Sequence, residues 1–571
     1  MPVVVALSLA ACAGNTDGRW WSFGFGHAAE AAPPAPSAET AAGSYLAGRA
    51  AIDAGDLRTA AEEYERALAA DPTDVELQRQ VFALLLASGE FDRALTAARS
   101  LAETNTGSDE AVLFLALDHA RRGEDGQARD LLSKVGQEGL TGTVQPILLA
   151  WAQFGAGEHR PAIAALAHPD TRAGLDRLRA YHRATMLGLD GHPRDGLAAL
   201  RVAFPDLVTS PVRVIRTAVD LQLATGDRAA ADELVAQARA AEPDDRQLEW
   251  LAGTLARGHE GIAPILDPPS GMSDALTGVA EALTSQNGNA QAMVFARAAS
   301  FLAPQDGETW LLIARIALEQ SNPAEALQAL DRVSADGPVA WPAGLVRARA
   351  LQDLKRTDEA AKLLQAMADQ APDRADALVA LGDLQRGEDE FAAAEVAYTQ
   401  ALQRLPEIDR RNWRLLYARG ICYERTQRWP EAEADLLKAL ELEPDQPFVL
   451  NYLGYSWVDK GLNLDRAKAM LHRAVELKPD DGYIVDSLGW AYFRLGEDDK
   501  AVTYLERAVE LEPGDPVIND HLGDAYWRVG RTREARFQWQ RALTFVPEPD
   551  AAAIIQGKLV KGLGDGAAKP G

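Results

Sequence analysis

The side chains able to do chemistry are few and widely spaced. Among 571 residues there are two cysteines, Cys12 and Cys422, and nine histidines. A nucleophilic thiol needs a base or cation beside it, and a zinc ion needs ligands at short, fixed spacing. Neither cysteine lies in a CxxC or metal-ligand spacing, so no disulfide framework and no metal site is expected. Cys422 stands two residues from Gly420 in an apolar stretch and reads as a small buried residue. His119 likewise falls on the inward face of its helix, as a packed core residue. His259-Glu260 begins like the zinc motif HExxH, but no second histidine follows at the required spacing and Pro264 would disrupt the helix. Gly24-Phe25-Gly26-His27-Ala28-Ala29 matches a dinucleotide fingerprint loosely, with no strand before it and no βαβ unit around it. There is no GxSxG and no phosphate-binding loop. The residues therefore predict no catalytic group, no cofactor and no small-molecule substrate; the expected chemistry is surface recognition.

The charge balance narrows the partners. With 84 acidic against 58 basic residues, the formal net charge is −26. Binding a phosphate backbone needs clustered Lys and Arg, so nucleic acid is excluded. No run of eighteen apolar residues is present, so no transmembrane helix is expected. Apolar residues make up 47% of the chain, and much of that share is alanine, the best helix former, which also lets helices approach closely. Long β-branched runs are lacking after the first few residues, so the expected fold class is all-α.

The elements that must position any binding residues are most legible from Pro516 to Pro547, PVINDHLGDAYWRVGRTREARFQWQRALTFVP. Counting Pro516 as position 1, Leu522 and Gly523 fall at 7 and 8, Tyr526 at 11, Ala535 at 20, Trp539 at 24, Ala542 at 27 and Pro547 at 32. Two antiparallel helices approach closely only where small residues meet. Gly523, Ala535 and Ala542 mark those meetings, and Leu522, Tyr526 and Trp539 fill the space around them. This pattern resembles the tetratricopeptide (TPR) repeat, a helix–turn–helix unit of 34 residues. The resemblance implies a right-handed superhelical solenoid that grows without a central core.

The same register runs through most of the chain. Residues 41–245 read as an N-terminal array of six divergent repeats, with Ala60, Ala94, Ala128, Ala162, Gly196 and Ala231 at position 20. Residues 246–272 read as an incomplete repeat and a candidate bend between two halves of the solenoid. Residues 273–548 read as a regular array of eight repeats. Position 20 there is Ala292, Ala326, Ala360, Ala394, Ala432, Ala467, Ala501 and Ala535, and position 32 is Pro304, Pro338, Pro372, Pro406, Pro444, Pro479, Pro513 and Pro547. About fourteen repeats result, followed over 549–571 by a capping helix and a disordered tail, since a solenoid needs a cover for its last apolar face.

In TPR arrays the first helix of each repeat lines a concave groove. The resemblance places Tyr417, Ile421 and Arg425 there, then Phe448, Asn451 and Tyr455, then Tyr483, Asp486, Trp490 and Arg494, and finally Asp520, Asp524, Trp527 and Arg528. Of these, Trp527 and Phe448 are the ones most expected to pack between repeats instead. Aromatic residues and arginine are the usual anchors of protein interfaces. The carboxylates at 486, 520 and 524 replace the Lys and Asn with which some TPR domains clamp a peptide carboxylate. Such a groove is expected to hold proteins or peptides with a neutral or basic apolar segment.

The chain opens MPVVVALSLAACAG, in which Leu9-Ala10-Ala11-Cys12 resembles the lipobox of bacterial lipoproteins. That resemblance implies a signal-like segment over 1–12, lipidation of the Cys12 thiol, and a flexible tether over 13–40. No Lys or Arg precedes the apolar run, so the true start is expected upstream of Met1; with Met1 as the start the protein is cytoplasmic. Trp20, Trp21, Phe23 and Phe25 of the tether are expected at a membrane interface or on the first repeat. Lipobox, tether and solenoid together resemble the TPR lipoproteins of bacterial outer membranes. Some of these face the periplasm and act as adaptors that bring cell-wall hydrolases to a C-terminal-processing protease. The alternatives are an assembly or trafficking factor for envelope components, and a cytoplasmic interaction protein.

Overall fold

The computed structural model describes residues 40–563 apart from 104–107, 137, 168–174, 244 and 259–261. Cys12, the aromatic tether, His259 and the tail after 563 lie outside the described residues. The described residues form thirty α-helices and one short 3₁₀ turn, Arg410–Asn412, with no strand among them. Successive helices pack as hairpins, from Ala41–Asp53 against Leu57–Leu68 through Pro516–Arg528 against Thr532–Thr544.

Local chemistry explains the helix ends. Asp56, Asp74, Asp227, Asp245, Asp306, Asp481 and Asp515 each cap a helix by accepting a backbone N–H of its first turn. Part of the acidic excess is therefore structural. Between the two helices of a hairpin the chain passes through the left-handed region, once in most turns and twice, at Gly461 and Asn463, between Pro447–Lys460 and Leu464–Leu477. Glycine takes that position at 55, 89, 123, 157, 191, 226, 461, 496 and 530. Asn287, Ser321, Lys355, Asp389 and Gln427 occupy the same turn with positive φ, at a cost of about 1–2 kcal/mol for side chains that resist it. The turn thus persists where its glycine signature is lost. Where Pro516–Arg528 crosses Thr532–Thr544, a Cβ on Gly523 would lie 2.5 Å from the Trp539 indole, so only glycine permits this approach.

The chain divides into two compact units between Leu363 and Leu364, within the helix Thr357–Gln370. The expected break at 246–272 is not where this division falls. After Arg246–Ala256, Ile262 and Ile265 are buried in the core of the first unit, and Arg216 Nε donates to the Ile262 carbonyl at 3.0 Å.

In the unit 40–363 the inner wall of the N-terminal array is filled by the chain's own later helices. Pro268–Thr284 packs on Asp109–Arg121, Gly139–Gly155 and Leu175–Leu189, and Asn289–Leu302 packs on Val75–Ala87 and Asp109–Arg121. Phe301 meets Phe91 at 5.1 Å and Phe114 at 5.0 Å, ring pairs worth about 0.5–1.5 kcal/mol each beyond their buried area. Arg297 is buried, donates to the Ala87 carbonyl and pairs with Glu325. Asn322 Nδ2 donates to the Gly55 carbonyl at 2.9 Å. Apart from the Arg297–Glu325 pair, these contacts join residues about two hundred or more positions apart, which no 34-residue period encodes.

Largely buried arginines and a carboxyl meet in that closure. Arg213 pairs with Glu281 and lies 3.9 Å from Asp274, while Arg216 pairs with Glu308. Trp151 Nε1 donates to His182 Nδ1 at 3.2 Å, which leaves the other ring nitrogen of His182 facing Asp274 Oδ2 at 3.7 Å. Burial drives the Asp274 carboxyl up to about 7 and the His182 imidazole down to about 3.

Candidate functional site

The unit beginning at Leu364 carries the residues expected on a groove, on the helices Trp413–Arg425, Pro447–Lys460, Gly482–Arg494 and Pro516–Arg528. Successive first helices meet along this face. Its centre is an aromatic and ionic cluster spanning two repeats. The Trp490 ring stacks on His521 at 3.9 Å and on Phe493 at 4.7 Å. Both oxygens of Asp486 lie 3.0 Å from His521 Nδ1. Burial opposes a charge on that imidazole, but Asp486 together with Asp520 and Asp524 outweighs it and raises the His521 pKa. The Arg528 guanidinium lies 4.0 Å from the Phe493 ring centre and 3.5 Å from Asp498. Stacked flat rings held by charged neighbours form a preorganised wall of the kind that anchors interfaces.

The remaining expected residues take different places. Tyr455 is partly exposed, and burial together with Asp486 and Asp459 pushes its phenol up to about 12, so it stays a neutral donor and acceptor. Arg494 Nη1 donates to Asp459 at 3.0 Å. Asn451 is partly buried, and its side-chain oxygen is buried without a partner among the described residues. Arg425 is exposed and covers Phe391 at 4.9 Å. Tyr417 is only 3% exposed and packs edge-on against Tyr452 at 5.8 Å, so it supports the wall from behind and does not line it.

The acidic groups are not free charges. Asp486 is buried and held by His521. Lys558 Nζ, from the terminal helix Pro549–Lys561, donates to both oxygens of Asp520 at 2.9 and 2.8 Å and to Asp524 at 2.7 Å. Asp524 is buried, also accepts from Trp539 Nε1 at 2.9 Å, and is raised to about 6 by burial and by Asp520. The expectation of an openly acidic groove is therefore corrected: Asp486 is already held by His521, and Asp520 and Asp524 by the Lys558 ammonium. His521 and Lys558 were passed over because His521 stands at position 6 of its repeat and Lys558 lies beyond the last repeat. Cys422 is fully buried, and burial pushes its thiol up to about 12, away from nucleophilic use. Among the described residues no group of three or more His, Cys, Asp or Glu is placed to hold a metal ion. No described helix is long and apolar enough to cross a membrane.

Family models described as Tetratricopeptide repeat match residues 51–116, 311–377, 345–407, 413–446 and 485–515. Over those stretches the chain matches the TPR repeat. The TPR repeat-containing protein PA4667 of Pseudomonas aeruginosa is 32% identical over 157 residues, 27% of this chain and 26% of that protein. The general transcriptional corepressor ssn6 of Schizosaccharomyces pombe is 30% identical over 138 residues, 24% of this chain and 12% of that protein. The matches span about a quarter or less of those relatives' lengths. Among solved structures, the anaphase-promoting complex hetero-tetramer Cut9–Hcn1 aligns over 90% of this chain and 95% of that one, with 15% identity and a TM-score of 0.38. YrrB, described as a TPR protein with an unusual peptide-binding site, aligns over 34% of this chain and 99% of its own, with 21% identity and a TM-score of 0.28. TPR arrays serve as protein-interaction scaffolds, and an all-helical chain carrying such repeats fits that class.

Proposed function

We propose that the protein is a non-enzymatic scaffold that grips other polypeptides on the face formed by helices 413–425, 447–460, 482–494 and 516–528. One observation carries this reading: Trp490 stacks on His521 and is backed by the buried Phe493 ring, with Tyr455 nearby, on the face that TPR arrays use for binding. Proposed further, on the lipobox resemblance, is a lipid anchor at Cys12 facing the periplasm from the outer membrane. On the same resemblance, the partners are a C-terminal-processing protease and the cell-wall hydrolases it degrades. An anchored scaffold of this kind raises the local concentration of enzyme and client without doing chemistry itself.

Replacing Tyr455 and Trp490 together by alanine is expected to abolish partner capture from membranes. Anchors of this type contribute about 2 kcal/mol or more each, together roughly a thousandfold in affinity. Capture unchanged in a variant of native circular dichroism would sink the groove reading. The identity of what is captured separates a protease adaptor from an envelope-assembly factor. For the anchor, radiolabelled palmitate is expected to enter the protein and to be lost in Cys12→Ser; label that survives the substitution removes the claim.

A further inference from the structure

Asp520, Asp524 and Trp527 stand at the groove positions of the last repeat, yet the chain's own terminal segment covers all three. Lys558 puts its ammonium on both carboxylates. Four residues on, Gly562 passes so close over the Trp527 indole that a Cβ would lie 2.1 Å from the ring. Gly562 takes a positive φ of 75° there, which glycine tolerates and other residues resist. The helix that brings these groups has little else to hold it. Of its thirteen residues only Ile555 is buried, while Ile554 and Val560 are 61% and 78% exposed. The covering contact is thus mostly an ammonium on two carboxylates and a small residue on an indole.

We propose that the terminal helix is a built-in, displaceable ligand of the last repeat. The same box of two carboxylates and one indole then takes a partner helix presenting a lysine or arginine with a small residue four positions on. This rests on the scaffold reading and specifies which partners the far end of the face accepts. The receiving groups are preorganised. Asp524 is oriented by Trp539 Nε1, and Trp527 is held 5.4 Å from Trp539. Two carboxylates at one spot repel unless a cation sits between them, so an empty box favours any ammonium or guanidinium that fits. Lys558 is tethered and present at high effective concentration, so it screens out weak cations and yields only to a partner that gains further contacts along the face.

The test uses the full chain and a synthetic peptide of residues 549–563, read by Trp fluorescence and calorimetry. Lys558→Gln vacates the box without adding charge. It is expected to bind the peptide about tenfold or more tighter than the wild-type chain, in which the tethered copy competes. Adding Asp520→Asn to Lys558→Gln is expected to return the affinity to the wild-type value or below. The peptide with glutamate at the position of Lys558 is expected not to bind any variant. Equal affinity of wild-type and Lys558→Gln chains, with native circular dichroism in both, overturns the proposal. It leaves the scaffold reading standing, because capture through Tyr455 and Trp490 is measured separately. Binding of the glutamate peptide as tightly as the lysine peptide overturns it too. So does a wild-type dimer that the peptide dissociates, which would place Lys558 in a second copy of the chain.

Discussion

Gly271→Leu is expected to cost the unit 40–363 about 3 kcal/mol or more and to loosen the later helices from the N-terminal array. Gly271 lies in the first turn of Pro268–Thr284, and a Cβ there would meet the Trp151 ring at 2.2 Å. Trp151 cannot retreat: it is fully buried, its ring meets Phe154 at 5.8 Å, and its N–H is spent on His182. Overpacking a rigid site of this kind usually costs 1–3 kcal/mol, and a leucine adds three more carbons to the clash. Urea unfolding followed by hydrogen exchange checks it. The helices from 268 to 302 and the inner helices from 75 to 189 should lose protection together, while the unit beginning at Leu364 keeps its own. A variant as stable as wild type would mean that this closure is not the packed core the structure shows.

The second large effect is on pH dependence. Asp274 sits among Arg213 and Arg216 of Val212–Ala224, Tyr181 and His182 of Leu175–Leu189, Glu281 of its own helix, Glu308 of Gly307–Glu319 and Asp306 just before that helix. Burial raises its carboxyl from the ordinary 3.8 to about 7, with Arg213 opposing. A carboxyl whose pKa is higher folded than unfolded contributes stability below its unfolded pKa and loses it as pH climbs through the folded value. Ionising Asp274 therefore weakens the closure between about pH 4 and pH 7. His182 acts in the opposite sense. Its pKa falls from 6.5 to about 3 on burial, so stability is lost as pH drops below the unfolded value. The two slopes offset each other over much of this range in the wild-type protein, which masks both.

Asp274→Asn removes one of them. The stability of the variant relative to wild type is expected to grow with pH between 4 and 8, by up to about 4 kcal/mol. Urea midpoints of both proteins across that range measure it. A stability difference that stays flat with pH would mean that Asp274 is ionised throughout. Glu308, also raised by burial, stays in both proteins, but its charge acts on Asp274, so the comparison reads Asp274 together with its effect on Glu308.

What was legible in the sequence was what repeats. Position 20 must be small because two helices cross there, so Ala60, Ala292 and Ala535 announce their hairpins, and each is wholly buried. The turn glycines announce the same period, except at Asn287, Ser321, Lys355, Asp389 and Gln427, where another residue keeps the turn without the signature. The groove rule also selected Asp486, Trp490 and Arg528, which the structure gathers around His521 and Phe493. It misplaced Tyr417, because a phenol at a wall position turns inward when Tyr452 offers a ring to pack on.

The alternation of small and large residues every 34 positions decides the all-helical hairpins by local packing alone. Tertiary structure decided which wall stays open. The N-terminal wall is closed because Phe301, Arg297 and Gly271 find partners at Phe91, Ala87 and Trp151, and the last repeat is covered because Lys558 reaches Asp520. Such contacts depend on how small rotations per repeat add up over a hundred residues or more, and that sum is written in no single repeat.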